Sequence, residues 1–301
     1  MFRQVILTNS YLQKSVVIDE SSDEYVLDED GLNISPIEAT HNLTQYINLI
    51  GSHLDSTALN PRNIQLLGWV IGKDEQEIQN RKLLLNKLIN PLHNIVLTKG
   101  AYAIEFQPDT SIQYSTNYRE NNEVLAKFQI QGTAFKPYWR LVQPNVYRKS
   151  VDLQQGFSFP LVITKNKGVI FGYYPIGSIA DVDNFGDLEV GFLLQYQALG
   201  TVVNPEVQNV DTQESIVLNC ILDEGDLVEL CTEQGNQYVT IRRNNGSVEN
   251  GLNYLTSNSK IDMLLKLGKN SLEMFADSGK NELEVQLSFS PRFLEIEGED
   301  G

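Results

Sequence analysis

The stretch NPRNIQLLGWVIGKDEQEIQNRKLLLNKLINP, residues 60–91, constrains the fold more than any other. From residue 64 to 71 the run is apolar and carries no carboxylate, as in a strand that is covered on both faces or closed into a barrel. The period then changes. Asp74 followed three residues later by Glu77 is a helix-start signature, because the Asp74 oxygen accepts from free backbone N–H groups and Glu77 reaches back. Ile78, Leu85, Leu88 and Ile89, with Leu84 beside them, fall on one side of that helix, while Gln79, Arg81, Lys82 and Asn86 take most of the rest. Asn90-Pro91 ends it, since proline disfavours helix at the residue before it. This helix, about 74–90, is the only strong one in the sequence, and nearly everything else reads as short strands. A single amphipathic helix among strands lies on a sheet and closes one domain's core. The fold class expected is mainly β with one packed α-helix.

With 301 residues the chain exceeds what one hydrophobic core usually serves, so two domains are expected, 1–143 with the helix and 144–301 without one. Hydrophobic residues at 41% and charged residues at 21% are ordinary for a globular chain and argue against disorder. A formal charge of -16, from Asp+Glu 39 against Lys+Arg 23, argues against a surface that grips nucleic acid through its phosphates. No charged leader followed by an apolar run opens the sequence and no apolar run is long enough to span a bilayer, so the expected site of synthesis is the cytoplasm, with no membrane partner. Cys220 and Cys231 are too few for a disulfide framework or a thiolate metal site and are expected to be buried thiols.

Between Asp19 and Asp30 lie Asp19, Glu20, Asp23, Glu24, Asp28, Glu29 and Asp30 with no basic residue, which reads as a solvated loop or hairpin tip. The order of ligand types differs from that of an EF-hand calcium loop. Residues 48–60, NLIGSHLDSTALN, read as a long loop of the kind used for partner contacts. After the helix the strands return. Val124, Ala126, Phe128 and Ile130 alternate with Leu125, Lys127 and Gln129 as a half-buried strand, so the first domain ends near Arg140. Residues 141–150, around Pro144, suit a linker. Strands are then expected at 157–163, 168–174, 188–196, 216–222, 227–230, 238–242 and 283–289, with Asn244-Asn245-Gly246 as a hairpin turn whose central residues want positive φ. Many short strands without helices argue a β-sandwich.

The order of these features resembles the distal tail protein family of long-tailed phages. The residues that carry the resemblance are GLNISP at 31–36, the loop 51–55, RNIQLLG at 62–68, the 74–91 helix with the strands to Phe135, and GKN at 268–270 with the strand 283–289 and SPRF after it. The resemblance covers nearly the whole chain. It implies an N-terminal split-barrel or β-sheet domain with one helix that forms a hexameric ring, followed by a galectin-like β-sandwich. It also implies a structural, non-enzymatic role: the ring joins tail tube to baseplate or tail tip and lets DNA pass. The implied partners are further copies of the chain, the tail tube protein, a tail hub or tail-associated protein and a receptor-binding protein. The place implied is the virion tail, after assembly in the host bacterial cytoplasm. For the ring contact the candidates are residues 48–60 and the strand edges beside them.

The alternative function is a carbohydrate-binding module for host-surface glycans, with Tyr173, Tyr174, Tyr196 and Tyr254 as platform candidates. His53 with Asn60-Pro61-Arg62 and Trp69 is similar to the sugar-binding residues of galectins, but the spacing from His53 to Asn60 is too long and the residues fall in the first domain. A glycan-degrading enzyme would need paired carboxylates, which sequence spacing does not reveal. No catalytic residues, cofactor or metal site are assigned: His41, His53 and His93 stand in no zinc or nucleophile pattern, no Gly-x-Ser-x-Gly elbow occurs, and GWVIGKDEQ lacks the Ser or Thr of a phosphate loop.

Overall fold

A computed structural model of the protein describes residues 4–46, 50–143 and 180–296. The chain divides into two compact units, residues 1–142 together with 294–301, and residues 143–293. The expected strands 157–163 and 168–174, Tyr173, Tyr174 and residues 144–150 of the expected linker lie outside the described residues.

The first unit is built from β1 (Gln4–Asn9), β2 (Lys14–Asp19), β3 (Tyr25–Ile34), β4 (Ala39–Thr44), β5 (His53–Leu59), β6 (Arg62–Ile71), α1 (Glu75–Leu88), β7 (Ile95–Lys99), β8 (Tyr102–Pro108), β9 (Gln113–Tyr114), β10 (Leu125–Ala134) and β11 (Trp139–Leu141). Its main sheet runs β2-β1-β7-β8-β10-β6-β3 and curls into a nearly closed barrel, as the mainly β expectation required. The longest ladder is β10 on β6, antiparallel from Leu125↔Ile71 to Ala134↔Arg62. Alternate residues of both strands turn inward, so Ile64, Leu66, Val70, Ala126, Phe128 and Ile130 are buried. Gly68 lies opposite Phe128, and a Cβ at Gly68 would stand 2.7 Å from the phenyl ring. The missing side chain makes room for the aromatic one.

Helix α1 follows its sequence signals at the start. Asp74 caps it, its carboxylate accepting from the Glu77 N–H at 2.8 Å, and the Glu77 carboxylate accepts from the Lys73 N–H at 2.8 Å, one residue further back than in the usual capping box. Ile78, Leu85 and Leu88, with Ile89 just past the end, are buried against the sheet. Leu84 is not. It is 54% exposed, beside Leu83 at 65%, because the stripe that meets the barrel is too narrow to include it. Arg81 fastens the helix to its surroundings, donating to the carbonyls of Asp23 and Ile71 and pairing with Glu24 and Glu77. Tyr25 donates its hydroxyl to the Arg81 carbonyl at 3.1 Å, and burial, with Glu24 adding to it, pushes the phenol up to about 12.

The acidic run 19–30 is divided by the fold. Its first part turns the chain from β2 to β3, but Asp28, Glu29 and Asp30 fall in an irregularity of β3, between the pairs Leu27↔Gly68 and Leu32↔Leu66. Asp28 is tied to Lys127 at 2.8 Å, and this hydrogen bond holds its carboxyl below the usual range and raises Lys127. Lys127 also lies 5.1 Å from the centre of the Trp69 ring. The chain from Leu294 onward counts with the first unit, whereas the sequence pattern carries the second domain to residue 301. Arg62 shows why: its buried guanidinium donates to the carbonyls of Pro137 and Leu294 at 3.2 and 3.0 Å and meets Glu295 at 3.2 Å.

The second unit is a sandwich of two antiparallel sheets. One has the order Ala180–Asn184, Gly268–Phe275, Glu206–Asn209, Ser215–Val217, and the other Val248–Asn250, Tyr238–Arg242, Leu227–Cys231, Leu193–Ala198, Leu283–Ser288. Val182, Val207, Ile216 and Leu272 from the first share one core with Leu194, Tyr196, Val228, Ile241 and Val285 from the second. The expected strand 216–222 is interrupted, Ser215–Val217 joining the first sheet and Ile221–Leu222 pairing with Val202–Val203. The expected strand 188–196 is shorter at its start, with only an isolated bridge at Val190 before Leu193. The Asn244-Asn245-Gly246 turn forms, but only Gly246 takes positive φ, at 86°, closing a Gly246 N–H to Arg243 carbonyl bond of 2.9 Å. Beneath that turn Asp226 is buried. It accepts from Arg243 at 2.9 Å and from the N–H groups of Asn244 and Asp223 at 2.8 and 3.1 Å, and Arg243 reaches on to Glu249. Burial alone would raise the Asp226 carboxyl, but Arg243 and the two N–H donors outweigh it and hold it below its ordinary value.

Two stability measurements test this packing. Leu85→Asp places an unpaired carboxylate in the first unit's core and is expected to cost about 3 kcal/mol or more, a large part of a domain's total. A soluble variant with unchanged melting overturns the helix packing. Asp226→Asn is expected to cost about 1–3 kcal/mol at neutral pH. A carboxyl whose folded pKa is depressed contributes stability that is present above its unfolded pKa of about 3.9 and is lost as pH falls through the folded value. The variant therefore loses less stability on acidification than the parent, and parallel pH profiles overturn the assignment.

Candidate assembly surface

Residues 48–60, expected to be a loop, instead supply β5, and β5 pairs with β4 in a hairpin that belongs to no larger sheet. The register runs from Ala39↔Leu59 to Thr44↔His53, with Asp55 left over opposite the step from Asn42 to Leu43. Polar pairs stitch the two strands: Thr40 to Asn60 at 2.8 Å, His41 to Thr57 at 3.0 Å, Asn42 to Ser56 at 2.9 Å, and Thr44 to Asp55. Thr and Ser supply short hydrogen-bonding side chains across a strand pair, which is how so polar a sequence forms a hairpin. HLDSTAL carries no alternation of buried and exposed positions, so its polar, small residues read as loop.

Every residue of β5 is exposed, and so is almost all of β4. Two strands alone are marginal in water, because half of their backbone groups and both side-chain faces lack partners. Yet this arm carries apolar residues: Leu43 and Leu54, which face one another across the strands, and Tyr46 and Ile50 near its tip. An exposed arm with apolar side chains is the kind of feature that marks a candidate contact surface.

The other singled-out residues do not gather into a site. His41 and His53 sit on the arm, while His93 stacks on Tyr11 with ring centres 4.6 Å apart. Arg62 is buried in its own ion pair and Trp69 is occupied by Lys127, so the galectin-like set around His53 is dispersed. Tyr196 is buried in the sandwich core and offers no face to a sugar, whereas Tyr254 is half-buried, packed against that core with its hydroxyl on Glu249 at 2.9 Å. Cys220 and Cys231 are free and buried, and burial raises both thiols, Cys220 to about 11. Among the described residues no three His, Cys, Asp or Glu side chains gather as metal ligands, and no helix is long and apolar enough to cross a membrane.

The fold itself has relatives among solved structures. Over 96% of its length the chain matches 99% of the chain in the crystal structure of the SPP1 Dit protein, with a TM-score of 0.65 and 11% sequence identity. The two share one fold. Chains of the phage p2 baseplate in its activated conformation match as well, with strontium at TM-score 0.53 and with calcium at 0.52, each at 11% identity and each over 97% of this chain and 98% of the other. The SPP1 Dit protein is described as a paradigm of the hub adsorption apparatus in phages that infect Gram-positive bacteria. No protein-family profile and no curated protein sequence matches the chain.

No described residue from 39 to 59 contributes to the buried core. Replacing that segment by a short Gly-Ser link is therefore expected to leave the melting of the first unit within about 3 °C of the parent at concentrations where the chain is monomeric. A large fall in melting temperature would show that the arm holds the unit together, and would remove the reason to assign it to a partner.

Proposed function

We propose that the chain is a structural protein of a phage tail, a distal tail protein whose copies close into a hexameric ring between the tail tube and the baseplate or tail tip. The observation that carries this reading is the full-length likeness in fold to the SPP1 Dit protein and to chains of the p2 baseplate. Closed rings need heterologous contacts, one face of each subunit against a different face of the next. The bare β4–β5 arm supports this, since it is a separate two-stranded element whose apolar residues find no cover among the described residues.

The first unit forms the ring and the second, the galectin-like sandwich of the family, is carried on it. The partners are the tail tube protein, a tail hub or tail-associated protein and a receptor-binding protein, in a virion tail assembled in the bacterial cytoplasm. The role is structural and not enzymatic. The ring's bore passes the genome, and the charge of -16 suits it, because carboxylates along a channel repel phosphates where lysines would bind them by releasing counterions.

Negative-stain microscopy and native mass measurement of the protein, alone and with its tube and hub partners, are expected to show six-fold rings. A mobility-shift assay at physiological salt is expected to show no duplex retention. A chain that stays monomeric with both partners overturns the ring, and tight DNA binding overturns the conduit.

A further inference from the structure

A shallow groove runs along the outer side of α1's C-terminal half, between the helix and the turn from β1 to β2, lined by Leu12, Lys14, Leu83, Leu84, Lys87 and Leu88. One wall comes from the helix period: with Ile78, Leu85 and Leu88 turned to the barrel, Leu83 and Leu84 face outward. Asn9 sets the other wall. Its buried side chain donates to the Leu88 carbonyl at 2.6 Å and accepts from the N–H groups of Tyr11 and Leu12 at 3.0 and 2.9 Å, holding the turn against the end of the helix. The groove is therefore a fixed feature of the unit.

Its charge is opposite to that of the protein. Residues 78–104 contain Arg81, Lys82, Lys87 and Lys99 but no Asp or Glu, and residues 1–18 contain none either, in a chain of formal charge -16. Among the described residues neither Lys14 nor Lys87 has a carboxylate partner within ion-pair distance. Exposed leucines rimmed by unpaired cations mark a binding surface for something apolar and acidic.

The β4–β5 arm has that chemistry. From Ser35 to Pro61 the sequence has Glu38 and Asp55 but no Lys or Arg, and the arm exposes Leu43 and Leu54 side by side. Among the described residues of one copy both surfaces are bare, so neither covers the other. We propose that the arm of one copy seats in the α1 groove of its neighbour, with Leu43 and Leu54 on Leu83 and Leu84 and with Glu38 and Asp55 toward Lys14 and Lys87. This rests on the ring reading and goes beyond it by naming both halves of the contact. Groove and arm are different faces, so the contact is heterologous and propagates from copy to copy.

The test uses the full chain. Leu54→Cys and Leu84→Cys are combined and treated with a short bis-maleimide, Cys220 and Cys231 being buried. Multimers are expected on a denaturing gel from the double variant and from neither single one. In parallel, Leu84→Asp is expected to melt like the parent, because Leu84 packs in no core, while raising the concentration needed for assembly about tenfold or more. Rings that still form from Leu84→Asp, with no cross-linking of the double variant, overturn the groove contact and leave the ring standing. Cross-linked chains without closed rings support the contact and overturn the ring. A monomeric parent that never cross-links overturns both. Leu84→Asp rings that assemble normally but fail to hold the tube or hub protein would put another protein in the groove and overturn the proposal.

Discussion

A sheet that curls without closing leaves an apolar seam, and in the first unit that seam depends on α1. The sheet's edge strands are β2 and β3, joined by a short turn, and α1 packs against β2 and β6 beside them. Ile78, Leu85 and Leu88 supply the apolar cover, and Arg81 supplies the hydrogen bonds that the turn and the end of β6 would otherwise lack. One buried stripe and one multivalent guanidinium thus replace the missing ladder of a closed barrel. The same constraint creates the outer groove. A helix in contact with a convex barrel buries a narrow stripe, so a leucine-rich helix has leucines to spare.

The helix was legible because its signals are local: a cap at Asp74, a breaker at Pro91 and a period between them. The β6 and β10 strands were legible for the same reason, since alternation over ten residues survives without knowledge of partners. The exposure of Leu84 was not legible, because the width of the buried stripe is set by the curvature of what the helix meets and not by the helix. Nor was β5. A strand with no buried face has no alternation of burial to print on the sequence, and HLDSTAL pairs through hydroxyls and amides that equally suit a loop. The acidic residues 28–30 were read as solvated, and the irregularity of β3 in which they lie depends on β6 across the sheet.

The return of the chain at Leu294 was beyond reach for a different reason. Arg62 and Leu294 are separated by 232 positions, and nothing in either neighbourhood names the other. Burying a guanidinium is costly unless its donors are met, and Arg62 meets carbonyls from Pro137 and Leu294 and the carboxylate of Glu295 through its two terminal nitrogens, while its buried Nε has no partner among the described residues. The buried arginine is thus a tie between remote parts of the chain, and the sequence shows only an ordinary polar residue at the start of a strand. The likeness to the distal tail proteins rests on the order of elements, and order is what a fold at 11% identity retains.

Copies of an acidic protein repel one another, and the repulsion grows when several are brought into a ring. Assembly of such copies would therefore have to concentrate opposite charge where they meet and leave the like charge elsewhere. The sequence distributes its charges in that way: acids cluster at 19–30 and are absent from 78–104, while the arm between them carries acids and no cations. Lysines that lie at the rim of an apolar contact add modest affinity in water, but in the proposed contact they would steer an acidic arm toward the groove and reject a basic one. In the proposed contact the leucines would then decide how long it lasts, since desolvated apolar anchors govern dissociation more than encounter. In the proposed contact charge would choose the face and apolar burial would keep it, and both would follow from a helix that closes one barrel with only half of its leucines.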